Sequence, residues 1–187
     1  MKKCLFLIAP ILALSGCLSS GTVTNPALWS VSAVPDIVVQ REQRFNVLRI
    51  SQILVRAPYD NPALTVLRDN GSLARDSYNG FAMMPSVVLR GSTIDVLRKS
   101  GIARQVVAPI SSVHADASVE ITVTKFVLDC TGGEKKASVG VSVVFVNQKD
   151  RSISGVSFGE AAVSVKEGRF SEAFSRAYTL ALSKALQ

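Results

Sequence analysis

The sequence predicts an α+β fold: a two-layer sandwich with a mostly antiparallel sheet and two helices packed on one face. Three observations carry this. Three long β-rich runs, 118–130, 137–147 and 152–166, follow one another with short turn signals between them. Two stretches with helical spacing stand apart from them, one opening at Pro85 and one at Ser171. Helices following runs of strands, rather than strict strand–helix alternation, favour a segregated α+β architecture.

The elements follow in order. Residues 36–40 are a candidate first strand, and 45–56, rich in Val, Ile and Leu, are a firmer one. Pro58 and Pro62 bracket a loop, and 63–68 is a short apolar strand. Asp69-Asn70-Gly71 is a hairpin turn because Asn and Gly tolerate positive φ, so 72–78 returns antiparallel. Pro85 suits a first helical position, where its missing N–H costs nothing. Val87, Gly91, Ile94 and Leu97 recur at helical spacing, Arg98 and Lys99 complement the dipole in the last turn, and Gly101 stops the helix. A short strand, 105–108, leads to the three long ones. In the middle one Val139, Val141, Val143 and Phe145 alternate cleanly. The outer two change phase, from Val119, Ile121 and Val123 to Phe126 and Leu128, and from Val156 and Phe158 to Ala161, Val163 and Val165. A bulge near Thr124 and another near Gly159 would produce this. In the last helix Ser171 is the expected N-cap and Phe170, Phe174, Ala177 and Ala181 the core stripe. Ala173, Ala177, Ala181 and Ala185 would let it approach the sheet closely. The order is β-β-β-α-β-β-β-β-α.

The N-terminal residues speak of export. Lys2 and Lys3 precede an apolar run, 5–14, and then Leu14-Ser15-Gly16-Cys17. Basic, apolar, then small residues is the layout of a secretory signal. The run is half of the roughly 20 residues a membrane-spanning helix needs. The last four residues resemble a bacterial lipobox, which implies cleavage before Cys17 and acylation of its sulfur and of the new N-terminus. Three acyl chains would hold the chain permanently on a membrane, since each buried methylene contributes about 0.8 kcal/mol. Leu18, rather than Asp, favours the outer membrane. The expected organisation is a signal peptide (1–16), a lipidated flexible tether (17–34) rich in Ser, Thr, Gly and Pro with a lone Trp29, and a single domain (35–187). Such a tether has a root-mean-square span of about 20–25 Å.

Composition narrows the chemistry. The formal charge is +7, or +5 once Lys2 and Lys3 leave, with the basic residues scattered; Arg41, Arg44, Arg49 and Arg56 form the one loose series. Nucleic acid is not expected of such an exported chain; anionic lipid headgroups would suit the charge, but a solvated surface is the default reading of so modest and scattered a surplus. With Cys4 removed and Cys17 acylated, Cys130 has no partner for a disulfide and is expected to be a small buried hydrophobe. His114 is the sole histidine and falls in a polar loop, so no multi-histidine metal site or Ser-His-Asp set is expected. Glu120 and Glu160 are lone acids on strands. We expect no catalytic residues, metal or cofactor, and a non-enzyme.

The stretch from Phe45 to Leu186 resembles the ABC-type transport auxiliary lipoprotein component family, which includes the lipoprotein of the paraquat-inducible transport system. The resemblance is carried by Leu64-Thr65-Val66-Leu67-Arg68-Asp69-Asn70-Gly71, by Tyr78, Phe81-Ala82 and Pro85, by Leu97 with Ser100-Gly101 and Val106-Val107, by the strand 119–126, and by the Ala-rich last helix. The chain departs from the family in Phe81-Ala82, where Trp-Ala is usual, and in Cys130 and Gly132-Gly133. The resemblance implies a docking lipoprotein at the outer-membrane end of a system moving phospholipids or other hydrophobic molecules between membranes. It implies as partners a mammalian-cell-entry-type periplasmic protein and an ABC permease, and self-association into a ring. Tyr78, Phe81 and Met84 are candidate partner or lipid contacts, the competing reading being hairpin–helix core. The alternative function is an activator of cell-wall synthesis or an assembly factor of another envelope machine. A lipid-anchored hydrolase is disfavoured by the single histidine.

Overall fold

The computed structural model describes residues 27–187, so the expected signal peptide, Cys17 and the first part of the expected tether lie outside the described residues. The α+β class is as predicted, with eight strands in one mixed, open sheet and two α-helices among the described residues. The strands are β1 (Ala27–Trp29), β2 (Phe45–Val55), β3 (Ala63–Leu67), β4 (Leu73–Phe81), β5 (Ala103–Val107), β6 (Ala117–Asp129), β7 (Lys136–Asn147) and β8 (Ile153–Ser164). Helix α1 (Pro85–Ser100) connects β4 to β5, and α2 (Phe170–Ala185) follows β8. The candidate strand at 36–40 is instead a single 3-10 turn, Pro35–Ile37. Pro35 fixes φ for its first position, and Val38 N–H closes on the Pro35 carbonyl.

β6 is the axis of the sheet. With β7 and β8 it forms the expected antiparallel meander. Its other edge is shared by two strands. β2 runs parallel along its first half, Leu48↔Ala117 to Val55↔Val123, and β3 pairs with its end at Val66↔Leu128 and Leu67↔Asp129. β5 extends β2 in parallel, β4 returns antiparallel on β3, and β1 adds in parallel to β4. The antiparallel pairs carry most of the register. The parallel pairs arise where long crossovers replace tight turns, as between β2 and β5, a connection that includes α1.

The predicted bulge in β6 is present, with Thr124 the extra residue between Val123 and Lys125. The bulge predicted near Gly159 is not there. β8 keeps register through Val141↔Gly159 and Val139↔Ala161, and slips only between Gly155 and Ile153. The inward positions are Gly155, Ser157, Gly159, Ala161 and Val163, while Val156 and Phe158 face solvent, 52% and 70% exposed. Small residues face inward because α2 lies almost on the strand. A Cβ on Gly159 would meet the main chain at Ala181 and Ala185, and Ser157 Oγ donates to the Ala185 carbonyl.

The core lies between the helices and the inward face of β2, β6 and β7, with Leu48, Ile50, Val119, Ile121, Val141, Val143 and Phe145 fully buried. At one end Phe81, Phe126 and Phe174 form an aromatic cluster, with centroids 5.2, 5.5 and 4.8 Å apart. The core face of α1 is rotated from the predicted stripe. Leu89, Ser92, Thr93, Val96, Leu97 and Ser100 are buried, and Val87 is exposed. Of the predicted stripe Leu97 is buried and Ile94 packs against the core, but the buried face also carries the hydroxyls of Ser92, Thr93 and Ser100, so apolar spacing alone sets it off centre. Thr93 Oγ1 shares a 2.5 Å hydrogen bond with Tyr178 OH, joining α1 to α2 inside the core. Gly101 ends α1 in the left-handed conformation as predicted, φ 73°. Ser171 is not the cap of α2; it lies in the first turn and its hydroxyl points elsewhere.

Candidate functional site

The second half of the expected tether is not free. Residues 29–41 run as a strap in the groove between α1 and α2. Ser171 Oγ donates to the Ser30 carbonyl, Ser32 N–H donates to Ser175 Oγ, and Val34 N–H donates to Thr179 Oγ1. Alternate residues of the strap thus meet hydroxyls four apart on α2. The spacings agree, since two extended residues advance about 6.6 Å and four helical residues about 6.0 Å. From the other wall Ser92 Oγ donates to the Val31 carbonyl, and the Val31 side chain is buried. The strap ends on the helix C-termini, where unpaired carbonyls need donors. Gln40 Nε2 donates to the Lys99 carbonyl, Arg41 N–H to Ser100, and the Arg41 guanidinium to Ser183. A strap that meets both helices in the same order makes them parallel, so both begin at the end where the chain enters at Ala27.

That end has a distinct surface. Ala82 N–H donates to the Trp29 carbonyl, and the Trp29 ring stacks on Phe170, centroids 4.7 Å apart. Met83 and Met84, just after Ala82, are exposed, as is Leu28. Asp60 supplies the cap that Met84 cannot, its carboxylate accepting from Ser86 N–H. Next to Phe170 in the chain, a cleft of about 410 Å³ opens between the end of β8 and the first turns of α2. Val163, Ser164 and Ala173 line it together with Lys166, Arg169, Arg176 and Glu172. Glu172 is engaged with Arg169, 3.6 Å away.

The residues singled out from sequence separate. Phe81 is 2% exposed and belongs to the aromatic cluster, so it is core and not a contact. Tyr78 is 65% exposed, turned outward by an irregularity in β4 where the Asp76 carboxylate accepts from the N–H groups of Tyr78 and Asn79. Met84 is exposed at the start of α1. His114 lies exposed in the loop before β6. Cys130 is half-buried against the core, and that burial pushes its thiol pKa up, away from reactivity. Hydrogen bonds from Thr131 hold the Asp129 carboxyl below its ordinary value, a turn contact rather than a reactive site. Among the described residues no group of three or more His, Cys, Asp or Glu side chains could hold a metal ion, and no helix is long and apolar enough to cross a membrane.

The sequence readings missed the strap and the cleft. The strap left a legible trace, Ser171, Ser175 and Thr179 at four-residue spacing. The cleft left none, because Lys166, Arg169 and Arg176 are far from the core stripe and read as solvated surface. With this geometry in place, comparison with known proteins bears on the fold. No family model and no curated protein matches the chain. Among solved structures, it is similar to a DUF330 protein from Xanthomonas campestris, at 19% identity and a TM-score of 0.60, with 87% of this chain and 89% of that one covered. A second similar structure is an uncharacterized protein at 10% identity and a TM-score of 0.57, covering 83% of this chain and 92% of that one. At such identities the likeness is one of fold.

Proposed function

We propose that this protein is an outer-membrane lipoprotein anchored through Cys17. It serves there as the non-catalytic accessory component of an ABC-type, mammalian-cell-entry-type system that carries phospholipids or other hydrophobic molecules between membranes. One observation carries the reading. The scattered residues behind the family resemblance lie along one continuous structural unit. Leu64 to Gly71 are β3 and its turn, and Tyr78 to Pro85 lead from β4 into α1. Ser100-Gly101 end α1, and β6 brings Phe126 against Phe81 and the α2 residue Phe174. Of these residues Leu64, Phe81, Leu97, Val106 and Phe126 are buried in one core, while Tyr78 and Asp69-Asn70-Gly71 stand at its surface. Protein docking fits the exposed apolar side chains of the open sheet face, Leu54, Val156 and Phe158, better than catalysis fits any constellation described above.

The test is chemical cross-linking of the lipidated chain in intact cells, followed by purification in detergent and identification of the partners. Capture of a mammalian-cell-entry-type protein or its permease supports the reading. Capture of cell-wall synthases in their place overturns it in favour of the alternative. The anchor is tested separately: Cys17→Ser should release a folded domain from the membrane fraction, and firm retention of the variant would refute lipidation.

A further inference from the structure

We propose that the end of the domain at which α1 and α2 begin is its membrane-facing end, seated on the anionic bilayer that holds its anchor. The phosphate of a lipid headgroup occupies the Lys166–Arg169–Arg176 cleft. The inference rests on acylation at Cys17, but not on the identity of any protein partner.

Three independent features meet there. The first is where the chain enters. Cys17 lies ten residues before Ala27, and ten residues reach at most about 33–36 Å. The strap then fixes residues 29–41 between the helices, so the anchor is attached at this end. The second is charge. The cleft presents three cations against one carboxylate, and that carboxylate is already paired with Arg169. Among the described residues Lys166 and Arg176 have no salt-bridge partner. Guanidinium and ammonium groups around a partly apolar floor of Val163 and Ala173 suit a phosphodiester with the first carbons of its glycerol. The third is exposed apolar surface. Leu28, Met83 and Met84 are 60%, 53% and 44% exposed. Leu28 precedes Trp29 in the chain, and Met83 and Met84 follow Ala82, whose N–H donates to the Trp29 carbonyl. Basic groups beside apolar ones is the composition of a surface that rests at the headgroup boundary.

Trp29, the sole tryptophan, reports on this end directly. The lipidated full-length chain is reconstituted into phosphatidylcholine vesicles with or without 30% phosphatidylglycerol, both carrying brominated acyl chains that quench tryptophan. Mass spectrometry of the purified chain establishes acylation first, so failure of the anchor and failure of the orientation are told apart. Quenching should be at least twofold greater with phosphatidylglycerol. Lys166→Gln with Arg176→Gln should bring it to the phosphatidylcholine level without changing the melting temperature, and Met83→Ser with Met84→Ser should reduce it. Lys149→Gln with Arg151→Gln, an equal charge change at the β7–β8 turn, should leave it unaltered. Equal quenching in the two vesicles, an unaffected cleft variant, or an equal loss in the β7–β8 variant would each overturn the proposal. So would Trp29 that is shielded only when a protein partner is added.

Discussion

Gly159→Ala tests the most exacting contact in the fold. An added Cβ would stand 2.0 Å from the Ala181 carbonyl oxygen and 2.7 Å from the Ala185 nitrogen, where ordinary contact begins at 3.4 Å. Both atoms are main chain of α2, so no side chain can swing aside. Either the last turns of the helix retreat from β8 by more than about 1 Å or the strand bows outward, and both open the buried layer between them. Overpacking costs about 1–3 kcal/mol, and the rigid neighbours place this substitution near the top of that range. At a urea m-value of about 2 kcal/mol/M, a loss of about 3 kcal/mol lowers the midpoint by about 1.5 M. Equilibrium urea unfolding followed by circular dichroism measures it. Gly71→Ala is the comparison: its φ is +77° and nothing lies within 4 Å, so it isolates backbone strain, about 1–2 kcal/mol. If Gly159→Ala cost no more than Gly71→Ala, α2 would not lie this close to β8 and the account of the small inward residues would fail.

Three further outcomes are expected. Phe81→Ala should cost about 3–5 kcal/mol in the same assay, as for a truncated core aromatic; a loss under about 1 kcal/mol would return Phe81 to the surface. Ser175→Ala with Thr179→Val should free the strap, seen as faster proteolytic cutting near residues 30–34 while the core of the domain stays intact; unchanged cutting would mean the hydroxyls are not what holds it. Burial raises the pKa of the Tyr178 phenol above the ordinary value of 10.0. The unfolded chain therefore ionises first, and stability is intact below pH 10 and lost as pH rises above it. The loss approaches about 1.4 kcal/mol per pH unit. Tyr178→Phe should remove this component, and an unchanged alkaline slope would show that another group is responsible.

How much of this was legible in the sequence varied with the kind of interaction. The β6–β7–β8 meander declared itself through strict alternation in β7, and the Gly71 and Gly101 signals lie where the backbone has positive φ. The alanines of α2 foretold close approach, which Gly159 now explains from the strand side. Three things were hidden. Val156 and Phe158 suggested a buried face because apolar residues usually mark one; here glycine, serine and alanine face inward and the large side chains face out. The buried side of α1 carries hydroxyls whose partners, Val31 and Tyr178, are remote in sequence. The parallel placement of β2 and β3 along one edge of β6 depends on crossovers that local patterning does not encode. The candidate site followed the same division. Phe81 was recognisable as important, and only packing showed that its importance is structural.

The strap alters what the expected anchor does mechanically. A tether running to residue 34 would let the domain swing freely over the membrane and present any face. Ordered packing from residue 27 reduces that freedom by shortening the segment that precedes the packed chain. The nine residues between Cys17 and Ala27 lead to the N-terminal ends of two parallel helices, each of 16 residues and so about 24 Å long. The anchor therefore joins the domain at the end opposite the helix C-termini, which Gln40 and Arg41 hold. The proposed accessory role would use this polarity, because one end would stay on its own bilayer while the other meets a partner. The hydroxyl ladder on α2 supplies it with three hydrogen bonds, and its loss should cost orientation before it costs the fold.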